Sequence, residues 1–159
     1  MTKEPNKISV GVVGAGVIGR RVVGAVRLQP DMALAGVADV AADWRIAMLA
    51  KGGVRLFAAS SQASQTLPES GLDVAGSLED LIAASDVIVD CTPKGIGAKN
   101  ADIYRSAGKP FIVQGGEKHD VAGHSFVAEA TYESALGRDA TRVVSCNTTS
   151  IVRTLGALK

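Results

Sequence analysis

Cys146 stands in the run VVSCNTTS, residues 143–150, where two β-branched apolar residues give way to a serine, the cysteine, an asparagine and two threonines. A thiolate is a strong nucleophile, and a cysteine at a helix start has its pKa lowered by the positive potential there. The hydroxyls of Thr148 and Thr149, with the free first-turn N–H groups, could hold an oxyanion or a phosphate. A buried structural thiol is the other reading, and spacing alone leaves both open. The second of the two cysteines, Cys91, follows the apolar run DVIVD and reads as structural.

A second segment with chemical meaning is VVGAGVIG, residues 12–19, which places Gly14-x-Gly16-x-x-Gly19 after an apolar run and at the opening of a helical pattern. In a dinucleotide fold the first glycine makes the tight turn, the second lets a pyrophosphate approach the backbone, and the third lets helix and strand pack closely. The helix N-terminus then offers its N–H groups to the phosphate. The next apolar run ends in Asp39, twenty residues beyond Gly19. There a carboxylate would bond the ribose hydroxyls of NAD and repel the extra phosphate of NADP, so Asp39 tilts the expectation toward NAD. A solvated acid at a strand end is the alternative, and Arg45 or Lys51 could soften the preference by reaching a ribose phosphate. His119 and His124 read as solvated or locally bonded loop histidines, and Trp44, Tyr104, Phe111 and Phe126 as packing residues.

Strands and helices alternate along the chain and must position these residues. Strands are expected over residues 7–13, 32–39, 54–59, 86–92, 110–114 and 141–145, and helices over 16–29, 42–52, 77–85, 97–108 and 147–158. Ser77 followed by Asp80 has the outline of a capping box. Residues 60–71 are polar and read as a loop, and residues 125–137 are ambiguous. The repeated alternation predicts an α/β, doubly wound, Rossmann-like and mostly parallel sheet with helices on both faces. Residues 1–145 are expected to form a dinucleotide-binding domain. Residues 146–159 are expected to start a helix leading into a catalytic domain that is absent, as if a larger protein had been cut short.

Composition narrows the function. The chain has 159 residues, is 47% hydrophobic and only 4% aromatic, which fits one folded domain with an aliphatic core. A formal net charge of +1, with no basic run, gives nucleic-acid binding little support. No apolar run approaches a membrane span, and the polar N-terminus lacks a signal-peptide pattern, so a cytoplasmic protein is expected. Two cysteines and two histidines without metal-type spacing do not suggest a zinc site.

With VGVVGAGVIGRRV, LEDLIAASDVIVDCTPKGIGAKN, VQGGEKHDVAGHSF and RVVSCNTTSIVRTL assembled, the chain resembles the archaeal-type (type II) phosphorylating glyceraldehyde-3-phosphate dehydrogenases, collinearly and over nearly its whole length. The resemblance implies that Cys146 is the thiolate that attacks the aldehyde and that Ser145, Asn147 and Thr148 contact substrate. It implies cofactor contacts at Val17 and Ile18 and at Gly115 or Gly116, beside Gly14, Gly16, Gly19 and Asp39. The implied reaction is NAD- or NADP-dependent oxidation and phosphorylation of D-glyceraldehyde 3-phosphate to 1,3-bisphosphoglycerate. A phosphorylated aldehyde and inorganic phosphate are thus the expected small-molecule partners, in a family homotetramer with no nucleic acid or membrane. Relatives often carry a basic residue where this chain has Asp39, and their chains are about twice as long. The missing half supplies the histidine base and most phosphate-binding residues in the family, so negligible turnover is expected of this chain alone. A non-catalytic NAD(P)-binding module and a semialdehyde dehydrogenase of related fold are the alternatives.

Overall fold

The computed structural model describes residues 7–114 and 116–158. Its strands are β1 (Ile8–Val13), β2 (Met32–Asp39), β3 (Leu56–Ala58), β4 (Val74–Ser77), β5 (Val87–Asp90), β6 (Phe111–Val113), β7 (Ser125–Phe126) and β8 (Ala140–Val143). The helices are α1 (Val17–Arg27), α2 (Trp44–Lys51), α3 (Ala63–Glu69), α4 (Leu78–Ala83), α5 (Ile96–Ser106), α6 (Ala128–Ala135) and α7 (Cys146–Ala157). The strands form one eight-stranded sheet in the order β4-β3-β2-β1-β5-β6-β8-β7. Every strand pairing is parallel, so each crossover must pass over a face of the sheet.

Alternation along the strands sorts side chains into two cores, as the pleat requires. Val10, Val12, Val37, Leu56 and Val89 meet Val23 and Val26 of α1, Ile46 of α2 and Leu67 of α3. Val13, Ala38, Phe57, Ile88 and Phe111 meet Leu81 and Ile82 of α4 and Ala101 and Tyr104 of α5. Both faces are therefore covered in the middle of the sheet, which explains why β1 and β5 read as unbroken apolar runs. The chain leaves β1 through α1 toward β2 on one side, while β5 and β6 continue on the other. The strand order thus reverses between β1 and β5, and such a switch point opens a crevice at the carboxyl ends of the strands.

Two segments differ from the sequence reading. Residues 60–71 were expected as a loop, but α3 forms there: Ser60 Oγ accepts the Ala63 N–H at 3.1 Å, and Ala63 and Leu67 bury one apolar face despite Pro68 in the last turn. The short strand β4, which follows it, had no period long enough to show. The ambiguous residues 125–137 resolve into β7 and α6. The capping box at α4 is present, with the Ser77 side chain accepting from Asp80 N and the Asp80 carboxylate accepting from Ser77 N at 2.8 Å.

Candidate functional site

The turn after β1 is built for close backbone approach. Gly14 has φ +85°, a left-handed conformation that a side chain disfavours, and a Cβ there would sit 3.0 Å from the backbone of Cys91 and Thr92 at the end of β5. A Cβ on Gly19 would lie 1.9 Å from the Gly14 carbonyl oxygen, so α1 can seat against β1 only without one. Gly16 caps α1 with no side-chain hydrogen bond, and a Cβ there would meet nothing within 4 Å. Packing therefore demands Gly14 and Gly19, whereas the space above Gly16 is open. A bare, outward-facing helix N-terminus at the switch point fits a dinucleotide pyrophosphate. Val17 and Ile18 are exposed on the first turn beside it, an unusual setting for apolar side chains with nothing to cover them. Gly116 has φ +81° in the loop after β6, and Gly115 lies outside the described residues.

On the β2 side, the half-buried Asp39 is held by backbone. Its Oδ2 accepts the Ala15 N–H at 2.5 Å, and its Oδ1 accepts the N–H groups of Val40 and Ala41 at 2.7 and 2.8 Å. The carboxylate thus clasps the glycine turn to the β2 end. Trp44, expected to pack, is instead 68% exposed at the start of α2, with the Arg20 guanidinium 5.4 Å over its ring. Among the described residues only that guanidinium lies over the ring, so the indole is not part of the core. Lys51 lies at the far, C-terminal end of α2, one helix length from Asp39.

On the other side of the turn, β8 delivers Cys146. Ser145 is the N-cap of α7 and its Oγ accepts the Thr148 N–H at 3.2 Å, which makes Cys146 the first helical residue. Cys146, Asn147 and Thr148 are exposed at the carboxyl edge of the sheet; the Cys146 thiol donates to Asn147 Oδ1 at 3.8 Å, and Ser145 Oγ lies 2.9 Å from Thr148 Oγ1. Three strand spacings separate β1 from β8, roughly 14 Å across the sheet edge. A dinucleotide laid with its adenosine toward Asp39 would have its other end directed along the edge toward Cys146. Cys91 is the contrasting case. It is half-buried, accepts from Gln114 Nε2 at 3.6 Å, and burial followed by the neighbouring Asp90 charge pushes its thiol up to about 12.

Between these two sides lies a buried polar network that sequence reasoning missed. Asp90, 1% exposed at the end of β5, accepts from Thr92 N at 2.9 Å, from the Thr92 hydroxyl at 2.5 Å, from Asn100 Nδ2 at 2.9 Å and from the Tyr104 hydroxyl at 2.7 Å. Tyr104 packs as expected, tilted on Phe111, but its hydroxyl also serves Asp90; burial and then that carboxylate raise its pKa, so it stays a donor. Glu117, 4% exposed, accepts the Gly95 N–H at 2.6 Å, and its carbonyl accepts from Arg142 at 2.6 Å. Arg142 also donates to Ser125 Oγ at 2.8 Å, which lies 2.9 Å from His119 Nδ1. The loop after β6 is thereby pinned to both α5 and β8, the strand that leads into Cys146. The one available signal was the four-residue spacing of Asn100 and Tyr104, which puts both on one face of α5. His124, read as a loop histidine, is 8% exposed and bonded to Thr141 and Ser134 at 2.7 and 3.0 Å; burial, then the Arg138 charge, hold its pKa low. Among the described residues, no group of three or more His, Cys, Asp or Glu side chains could hold a metal ion, and no helix is long and apolar enough to cross a membrane.

A family profile described as dihydrodipicolinate reductase, N-terminus, matches residues 8–122, from β1 through the loop after β6. The chain belongs to this family. The match contains the glycine turn, Asp39 and Asp90 and stops short of Cys146, so it speaks for the cofactor-binding part. The expected resemblance to archaeal glyceraldehyde-3-phosphate dehydrogenases also holds. The chain is 50% identical over 153 residues to the enzyme of that name from Thermococcus kodakarensis and 49% identical over 153 residues to that from Pyrococcus furiosus. In each case the similarity covers 96% of this chain, which leaves too few residues outside it to exclude Cys146. It covers 46% of each relative, so the chain spans about half the length of the curated relatives it matches. Among solved structures, GenD2 from gentamicin A biosynthesis, in complex with NAD, superposes with a TM-score of 0.52 at 18% identity, covering 71% of this chain and 28% of that one. At that identity the likeness shows the Rossmann-like fold alone.

Proposed function

We propose that this chain is the nicotinamide-dinucleotide-binding part, with the nucleophile, of a phosphorylating glyceraldehyde-3-phosphate dehydrogenase. The observation that carries this reading is the placement of the glycine turn and the exposed Cys146 on one carboxyl edge of a parallel sheet, in a chain about half identical to enzymes of that name. Residues 1–145 are the dinucleotide-binding domain, and residues 146–159 open the helix toward the substrate-handling part of the longer relatives. The homotetramer and the cytoplasmic setting rest on the same resemblance.

In this reading Gly14, Gly16 and Gly19 bring the backbone and the α1 N-terminus to the pyrophosphate, with Val17, Ile18 and Gly115 or Gly116 as further cofactor contacts. Asp39 takes the ribose hydroxyls and favours NAD over NADP. When bound, the nicotinamide accepts the hydride. The Cys146 thiolate forms a bond to the aldehyde carbon of glyceraldehyde 3-phosphate, giving a thiohemiacetal. Collapse of the alkoxide first formed in that addition re-forms the C=O, passes its C–H hydride to the nicotinamide and leaves a thioester on Cys146. An oxygen of inorganic phosphate then attacks the acyl carbon, the thiolate leaves, and 1,3-bisphosphoglycerate is released. The Cys146 and Asn147 N–H groups, ahead of the capped Thr148 N–H, suit the oxyanion of the tetrahedral species, and Ser145, Asn147 and Thr148 suit substrate oxygens.

Calorimetric titration of the folded chain with NAD and NADP tests the first half of the reading. Heat from NAD at saturable concentration is expected, and no heat from either nucleotide would sink it. Protection tests the second half. Glyceraldehyde 3-phosphate should slow thiol labelling of Cys146, and an unchanged rate would remove its role as nucleophile.

A further inference from the structure

Asp43 holds one arginine with both carboxylate oxygens. Its Oδ1 accepts the Arg45 N–H at 2.9 Å and so caps α2, while its Oδ2 accepts Arg45 Nε at 2.8 Å and Arg45 Nη2 as well. Both charges are only about one-third exposed. The Arg45 guanidinium is held in its charged form chiefly by these bonds, with the Asp43 charge and then the Asp39 charge adding to it, which places Arg45 within the field of the β2-end carboxylate. The other nearby cation, Arg20, lies over the Trp44 ring and donates to the Gly16 carbonyl at 3.4 Å. Asp39 itself cannot turn away, because three backbone N–H groups fix both of its oxygens.

This arrangement sets a fixed negative charge where a ribose would lie and ties back the guanidinium six residues later that could offset it. Bidentate arginine is the side chain best suited to a phosphate, and a guanidinium whose Nε and Nη2 edge is already held by the Asp43 Oδ2 has lost that edge for one. We propose that Asp43 is a positioning residue for cofactor specificity: by clamping Arg45 it withholds the cation that a 2′-phosphate would need, and so keeps the site selective for the dinucleotide lacking that phosphate. The inference rests on the dinucleotide-binding reading and adds Asp43 and Arg45 to Asp39 as determinants.

The test is the ratio of NADP to NAD affinity, measured by calorimetry on the full chain. Asp43→Asn retains an oxygen to cap α2 and removes the charge; Asp43→Ser caps by a different geometry and serves as the second variant. Circular dichroism establishes that both are folded. The NADP-to-NAD ratio should rise about tenfold in each, the gain expected of one charge-assisted phosphate contact. The rise should vanish when Arg45→Gln is added, which a merely structural effect of the cap would not produce. An unchanged ratio in both folded variants, or a rise that survives Arg45→Gln, overturns the inference while leaving nucleotide binding intact. A wild-type chain that binds neither nucleotide overturns the inference and the functional reading together.

Discussion

Replacing Cys146 with serine should remove the fast-reacting thiol of this chain and leave only a slow one. The magnitude follows from Cys91. With its thiol pushed up to about 12 by burial and the adjacent Asp90, only about one Cys91 in 10⁴ is ionised at pH 8, against roughly a quarter of a free reference thiol. That is a deficit of order 10³. A more basic thiolate is intrinsically more nucleophilic, with a Brønsted coefficient of about 0.4–0.5, which returns a factor of roughly 40. Cys91 should thus exchange with an aromatic disulfide such as Ellman's reagent about 50-fold more slowly than the reference thiol, before its partial burial slows it further. Cys146 is exposed at the first turn of α7, where reagent reaches its sulfur directly. The time course of chromophore release should therefore show one equivalent reacting fast and one slowly. In Cys146→Ser the fast equivalent disappears, and in Cys91→Ser it persists. The sign with pH also follows: a raised pKa favours the thiol, so the slow phase should keep accelerating well above pH 9. Two equivalents reacting at one rate, or a fast phase that survives Cys146→Ser, would refute the assignment of the two thiols.

The glycine turn supplies a paired prediction. Gly19→Ala puts a methyl 1.9 Å from a backbone oxygen and should cost about 3 kcal/mol or more, whereas Gly16→Ala meets nothing and should change stability by about 1 kcal/mol at most while weakening NAD binding at least severalfold. Urea denaturation and calorimetry on both variants check this, and a Gly16→Ala chain that binds NAD unchanged would remove the pyrophosphate from that turn. Tyr104→Phe strips one donor from the buried Asp90 carboxylate and should lower stability by about 2 kcal/mol in urea denaturation. A change under 0.5 kcal/mol would mean that Asn100 and Thr92 suffice to hold the charge.

What the sequence alone determined was local or periodic. The glycine spacing, the Asp39 strand end, the Ser77–Asp80 cap and the helix start at Cys146 are each written within a few residues, because turn conformation, capping and amphipathic period are near-neighbour physics. Motif spacing and the wider resemblance then pointed to nicotinamide chemistry. Tertiary structure decided what depends on partners far along the chain. It folded residues 63–69, inside the expected loop, into α3 because Ala63 and Leu67 find the β3 side of the sheet to bury against. It left Trp44 68% exposed at the α2 start, with only the Arg20 guanidinium over its ring among the described residues. It also gathered Asn100 and Tyr104 onto Asp90, and Arg142 onto the Glu117 carbonyl, across separations of 10 to 25 residues. No sequence window contains those meetings, since a buried charge chooses its donors only after the strand order has brought β5, α5 and β8 to one edge.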